Sequence, residues 1–78
     1  MSMKITFDKE ADAAYIYFKD ISPGEVNKTI SLNESVNIDL DVQGKTLGIE
    51  IIDAGRNLPF SALNSAVMIW NFSFDLII

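Results

Sequence analysis

The chain has 78 residues, of which 49% are hydrophobic and 22% charged, and its formal net charge is −5. That length allows one core and one domain, spanning 1–78, because a chain this short buries only about 60–65% of its unfolded surface; the apolar fraction excludes a disordered acidic tail. Cysteine and histidine are both absent, which removes disulfides, thiolate or imidazole metal ligands, and serine–histidine or cysteine–histidine catalysis.

Residues 3–7 alternate apolar and polar, placing Met3, Ile5 and Phe7 on one face of a first strand. Turn and helix formers fill 8–14, so a tight turn or one helical turn is expected there. Residues 14–19 return to aromatic and β-branched types and read as a second strand, although Ala11, Ala14, Tyr15 and Phe18 also fit a helical period. Ser22-Pro23-Gly24-Glu25 is turn chemistry. A third strand follows at 28–32 and a fourth at 36–42, with Val36, Ile38, Leu40 and Val42 facing the core. Gln43-Gly44 reads as a two-residue hairpin turn into a fifth strand at 46–52. The hairpin sets Leu40 opposite Leu47, Ile38 opposite Ile49 and Val36 opposite Ile51, with Glu50 opposite Asn37.

After Pro59 the period changes to three and four. Phe60, Leu63, Val67 and Trp70 form the apolar stripe of a helix over about 59–70, continued by an apolar tail to residue 78. The expected architecture is therefore α+β: a five-stranded antiparallel meander in the segment 3–54, with a C-terminal helix packed on one face.

Met3-Lys4-Ile5-Thr6-Phe7-Asp8, Glu10-Ala11-Asp12-Ala13 and Tyr15-Ile16 in the first part, with Val36-Asn37-Ile38-Asp39-Leu40-Asp41, Gly44, Gly48-Ile49-Glu50-Ile51 and Asp53-Ala54 in the second, carry a likeness. Through them the chain resembles the YuzE-like family of short bacterial and archaeal proteins, a domain of unknown function. The resemblance implies a compact sheet with one helix and a bacterial-type cytoplasmic setting. It brings no catalytic motif, and the chain departs from the pattern after Leu63.

The acidic residues Asp8, Asp12, Asp39, Asp41, Glu50 and Asp53 are the one constellation able to carry chemistry. Asp39, Asp41 and Glu50 fall at outward strand positions, where their oxygens suit Mg²⁺ or Ca²⁺. Solvation of a one-sided sheet accounts for them more simply, so no metal, cofactor or catalytic residue is expected. A carboxylate pair for glycoside hydrolysis needs a cleft between its members. Asp8 and Asp12 read as Asx turns or helix caps. Gly48, inside a strand, marks a bulge or the close approach of another backbone, and Tyr15 and Tyr17 cover the second side of the sheet.

The basic residues Lys4, Lys9, Lys19, Lys28, Lys45 and Arg56 are scattered, so no nucleic-acid partner is expected. Residues 1–4 lead into the strand pattern without an apolar signal core, and the apolar run 66–78 is interrupted by Asn71, Ser73 and Asp75. Neither secretion nor membrane insertion is expected, which points to the cytoplasm. The leading functional expectation is a protein-interaction module that binds itself or a basic partner, for example the acidic half of a pair that neutralises a small basic toxin. The alternative is a small metal-dependent enzyme or ligand-binding domain. Ile69, Trp70, Phe72, Phe74 and Leu76 exceed what one small core can bury, making them the expected interface of a homodimer.

Overall fold

The computed structural model describes residues 3–65 and 67–69. Its strands are β1 (Lys4–Asp8), β2 (Ala13–Tyr17), β3 (Lys28–Ser31), β4 (Val36–Leu40) and β5 (Thr46–Ile52), followed by the short helices α1 (Ala54–Asn57) and α2 (Phe60–Ser65) and a last strand β6 (Val67–Ile69). The architecture is α+β. Five strands run antiparallel in the order β1-β2-β5-β4-β3, and β6 adds in parallel beside β1.

The meander order gives way to this one. β2 pairs not with β3 but with β5, setting Ala14 against Ile51 and Ile16 against Ile49. The exchange follows from burial. β5 carries Leu47, Ile49 and Ile51 and gains most from a central place, whereas β3 (Lys28-Thr29-Ile30-Ser31) is polar and short, which suits an edge. The connection over 18–27 is long enough to carry the chain across.

Strand alternation then sorts the sheet into two faces. Ile5, Phe7, Ala14, Ile16, Val36, Ile38, Ile49 and Ile51 share the apolar one. The core is centred there on Ala14, Ile51 and Ala54, with Phe7, Val36, Ile49, Leu58 and Leu63 packed around them, so both helices cover this face. The opposite face carries Thr6, Tyr15, Tyr17, Asn37, Asp39, Gly48 and Glu50.

The β4–β5 register keeps Val36 opposite Ile51 and Ile38 opposite Ile49, as the alternation predicts, but Leu40 faces Thr46 because a bulge intervenes after Asp39. The turn is also longer than two residues. Asp41 organises it, its Oδ1 accepting the N–H groups of Gln43 at 2.9 Å and Lys45 at 2.8 Å. Val42 is thereby carried out of the strand and is 81% exposed, not a core residue.

The helix expected over 59–70 ends at Ser65, and Val67–Ile69 form β6 instead. Val67-Met68-Ile69 has a β-branched residue at each end, and the β1 edge supplies ladder hydrogen bonds that a helix of this length would not outweigh. Phe60, expected in the apolar stripe, is 80% exposed. No helix among the described residues is long and apolar enough to cross a membrane.

Candidate functional site

The polar face of the sheet is organised around Tyr15. It stands on β2 with its backbone opposite Glu50 on β5, yet its hydroxyl donates to Asp39 Oδ2 on β4, one strand further, at 2.5 Å. The ring must therefore pass over the β5 backbone. It does so at Gly48, where a Cβ would stand 2.3 Å from Tyr15 Cε1 and 2.6 Å from its hydroxyl. Gly48 is thus a place of close approach, of a ring rather than of another backbone.

Asp39 Oδ1 accepts a second hydroxyl, that of Thr29 on β3, at 2.6 Å. One carboxylate so ties together side chains from three strands, β2, β3 and β4. Beside this group Asn37 Nδ2 donates to Glu50 Oε1 at 2.9 Å across the pair that the strand alternation placed opposite each other. The Tyr17 ring lies 4.5 Å, centroid to centroid, from that of Tyr15, and the Lys4 ammonium stands 4.6 Å from the centre of the Tyr17 ring, within cation–π range.

The two tyrosines form one wall of an open groove of about 440 Å³, completed by Ile21, Ser22, Pro23, Gly24 and Val26 of the β2–β3 connection. Glu25 holds that connection in shape. Its Oε1 accepts the Ser22 N–H at 2.9 Å and its Oε2 pairs with the Lys19 ammonium; the Lys19 bond, followed by the Ser22 amide, draws the Glu25 carboxyl below its usual range.

Burial first, then the hydrogen bond to Asp39, push the Tyr15 phenol well above the usual tyrosine range. At neutral pH it is a proton donor to Asp39 and no base. Because the folded chain favours the neutral phenol, this stabilisation is complete below the unfolded value near 10 and is lost as pH rises beyond it. Alkaline titration of tyrosinate absorbance is expected to show that the difference between the parent chain and Tyr15→Phe appears only together with unfolding. Ionisation of Tyr15 in the ordinary range with the fold intact would contradict the geometry.

The acidic residues singled out from the sequence do not converge. Asp39 and Glu50 share the polar face, each engaged by neighbouring side chains, while Asp41 serves the β4–β5 turn. Among the described residues no group of three or more carboxylates gathers as a metal cluster. Asp8 Oδ1 accepts the N–H groups of Glu10 and Ala11, each at 3.1 Å, as an Asx turn. Asp12 caps α1 from a distance, its Oδ1 accepting the Gly55 N–H at 2.9 Å and its carbonyl the Ala54 N–H. Asp53, at the N-cap itself with φ 53°, makes no side-chain cap and instead pairs with Arg56 at 3.2 Å on the surface. Of the expected interface, Ile69 closes β6, its backbone opposite Asp8, and Trp70, Phe72, Phe74 and Leu76 lie outside the described residues.

The model of the family described as "Protein of unknown function (DUF2283)" matches residues 4–54, which spans β1 to β5 and the first residue of α1. The chain belongs to this family. The DUF2283 match takes in both segments that carry the sequence resemblance, from Lys4 onward, and all of Tyr15, Thr29, Asp39, Gly48 and Glu50, while α2 and β6 lie beyond it. No curated protein and no solved structure matches the chain.

Proposed function

We propose that this DUF2283 domain is a protein-interaction module that pairs with a second copy of itself. The YuzE-like resemblance supports placing it in a bacterial cytoplasm. The observation that carries the reading is the uneven cover of the apolar face. The helices pack over Ala14 and Ile51, whereas toward the β3 edge Ile30 is 41% and Leu32 65% exposed. Added to these are Trp70, Phe72, Phe74 and Leu76 of the sequence. The apolar residues of that segment add to what one small core would have to cover, which supports burial against a second copy.

Sedimentation equilibrium of the full chain is expected to return a dimer mass at micromolar concentration. Phe72→Ser with Phe74→Ser is expected to weaken the dimer at least tenfold, since each loses about 2 kcal/mol of burial. A monomer mass for the parent chain would sink the proposal.

A basic protein partner, such as a small toxin, is the second reading. It is favoured by the formal net charge of −5, and binding of that kind weakens steeply with salt. The metal-dependent alternative has less support, because Asp39 and Glu50, two of the oxygen donors it would use, already accept hydrogen bonds from Tyr15, Thr29 and Asn37.

A further inference from the structure

We propose that β3 pairs antiparallel with the β3 of a second copy about a two-fold axis at Ile30, which rests on the self-association reading above and names its seam. β3 is an outer strand of the sheet, all four of its residues are exposed, and among the described residues it pairs only with β4. Such an edge is a template for another strand. Apart from Lys28 at its first position, β3 has none of the proline, bulge or inward charge that blunts an edge.

The direction of the main-chain groups sets the register. The Leu32 N–H donates to the Val36 carbonyl, so Ile30, which lies opposite Ile38, also turns its donor and acceptor toward β4. Thr29 and Ser31 turn theirs outward. The amides of Asn27 and Asn33, at either end, are committed inward to the carbonyls of Leu40 and Val36. A copy centred on Ile30 sets Thr29 opposite the partner's Ser31 and Ser31 opposite the partner's Thr29, so both outward residues exchange both bonds across the seam. The next allowed registers set Ser31 opposite Asn27, or Thr29 opposite Asn33, and leave those bonds unmade. The side chains do not compete, because the Thr29 hydroxyl donates to Asp39 Oδ1 at 2.6 Å and the Ser31 hydroxyl to the Asn33 carbonyl at 3.0 Å.

The same register makes the edge complementary to itself. Opposite residues of an antiparallel pair share a face, so Ile30 meets the partner's Ile30, and Leu32 meets the aliphatic stem of the partner's Lys28. Ile30 is 41% and Leu32 65% exposed in the single chain, and the seam covers both. Charge agrees with the direction. Lys28 stands at one end of the edge and Glu34 just past the other, both exposed; antiparallel pairing brings each lysine toward the partner's glutamate, whereas parallel pairing would set lysine beside lysine. Because both copies use one and the same edge, the assembly closes as a dimer and does not grow into a fibre.

The absence of cysteine makes the test clean. Ile30→Cys, Thr29→Cys and Ser31→Cys are each made in the full chain and oxidised, with Gln43→Cys in the exposed β4–β5 turn as the control. Disulfide geometry demands Cα atoms within about 7 Å. On the axis, Ile30→Cys is expected to link to itself; Thr29→Cys and Ser31→Cys, whose copies stand ~8 Å or more from their own counterparts, are expected to link to each other when mixed and poorly when alone. A dimer mass for the parent chain with cross-linking at 29, 30 and 31 no faster than at Gln43→Cys would overturn the β3 seam and leave the self-association reading standing. A monomer mass for the parent chain would overturn both.

Discussion

Asp12→Ala is expected to lower the unfolding free energy by about 2–3 kcal/mol, the sum of a lost helix cap and a left-handed backbone forced on alanine. Asp12 has φ 52°, a conformation that aspartate and asparagine tolerate because their short side chains bond locally. Its side chain also satisfies the Gly55 N–H, and its carbonyl the Ala54 N–H, while the next two amides of α1 return to the Asp53 carbonyl. Every early donor of α1 thus has an acceptor, two of them supplied by Asp12 from far away in sequence, Gly55 being 43 residues from it.

Three substitutions separate the contributions. Asp12→Asn keeps both the oxygen and the backbone tolerance and is expected to cost no more than about 0.5 kcal/mol. Asp12→Gly keeps only the backbone freedom, and a loss of about 1 kcal/mol is expected. Urea midpoints at constant m measure all three. If Asp12→Asn proved as harmful as Asp12→Ala, the negative charge would be the property in demand and the capping account would be wrong.

This long-range cap also marks where the sequence stops being legible. An aspartate before an alanine-rich stretch announces a cap or an Asx turn, and both Asp8 and Asp12 make such bonds. That Asp12 serves a helix beginning at Ala54 depends on β2 lying beside β5. Period-two alternation fixes which residues share a face and so gives Val36 opposite Ile51 and Asn37 opposite Glu50. It is silent on which strand is whose neighbour. The default of sequential hairpins loses here to the burial of β5, whose apolar content compared with the polar β3 is the signal that points to centre and edge. At the C-terminus the three-and-four spacing of Phe60, Leu63 and Val67 suits a helix, yet alternation competes from Val67 onward. The open edge of β1 resolves the competition in favour of strand at Val67–Ile69.

The candidate site was legible only in pieces, Tyr15 on the second side of the sheet and Gly48 as an anomaly within a strand, and their connection supplies the remaining prediction. Tyr15 and Asp39 belong to strands two spacings apart, ~9.6 Å, so the phenol reaches the carboxylate only by lying on bare backbone. Gly48→Ala is expected to push the ring aside. The change loses the bond to Asp39 and part of the ring's packing, about 2–3 kcal/mol together. It regains about 0.5–1 kcal/mol because alanine loses less chain entropy than glycine in a strand. The net cost, about 1–2 kcal/mol, corresponds to a fall in Tm of roughly 5–15 °C for a domain of this size. Tyr15→Ala removes the obstruction, so in that background Gly48→Ala is expected to become neutral or stabilising. The reversal of sign is the decisive quantity, since a double-mutant cycle isolates the contact from any general dislike of a side chain at position 48. Equal losses from Gly48→Ala with and without the Tyr15 ring would show that something other than the crossing ring requires glycine there.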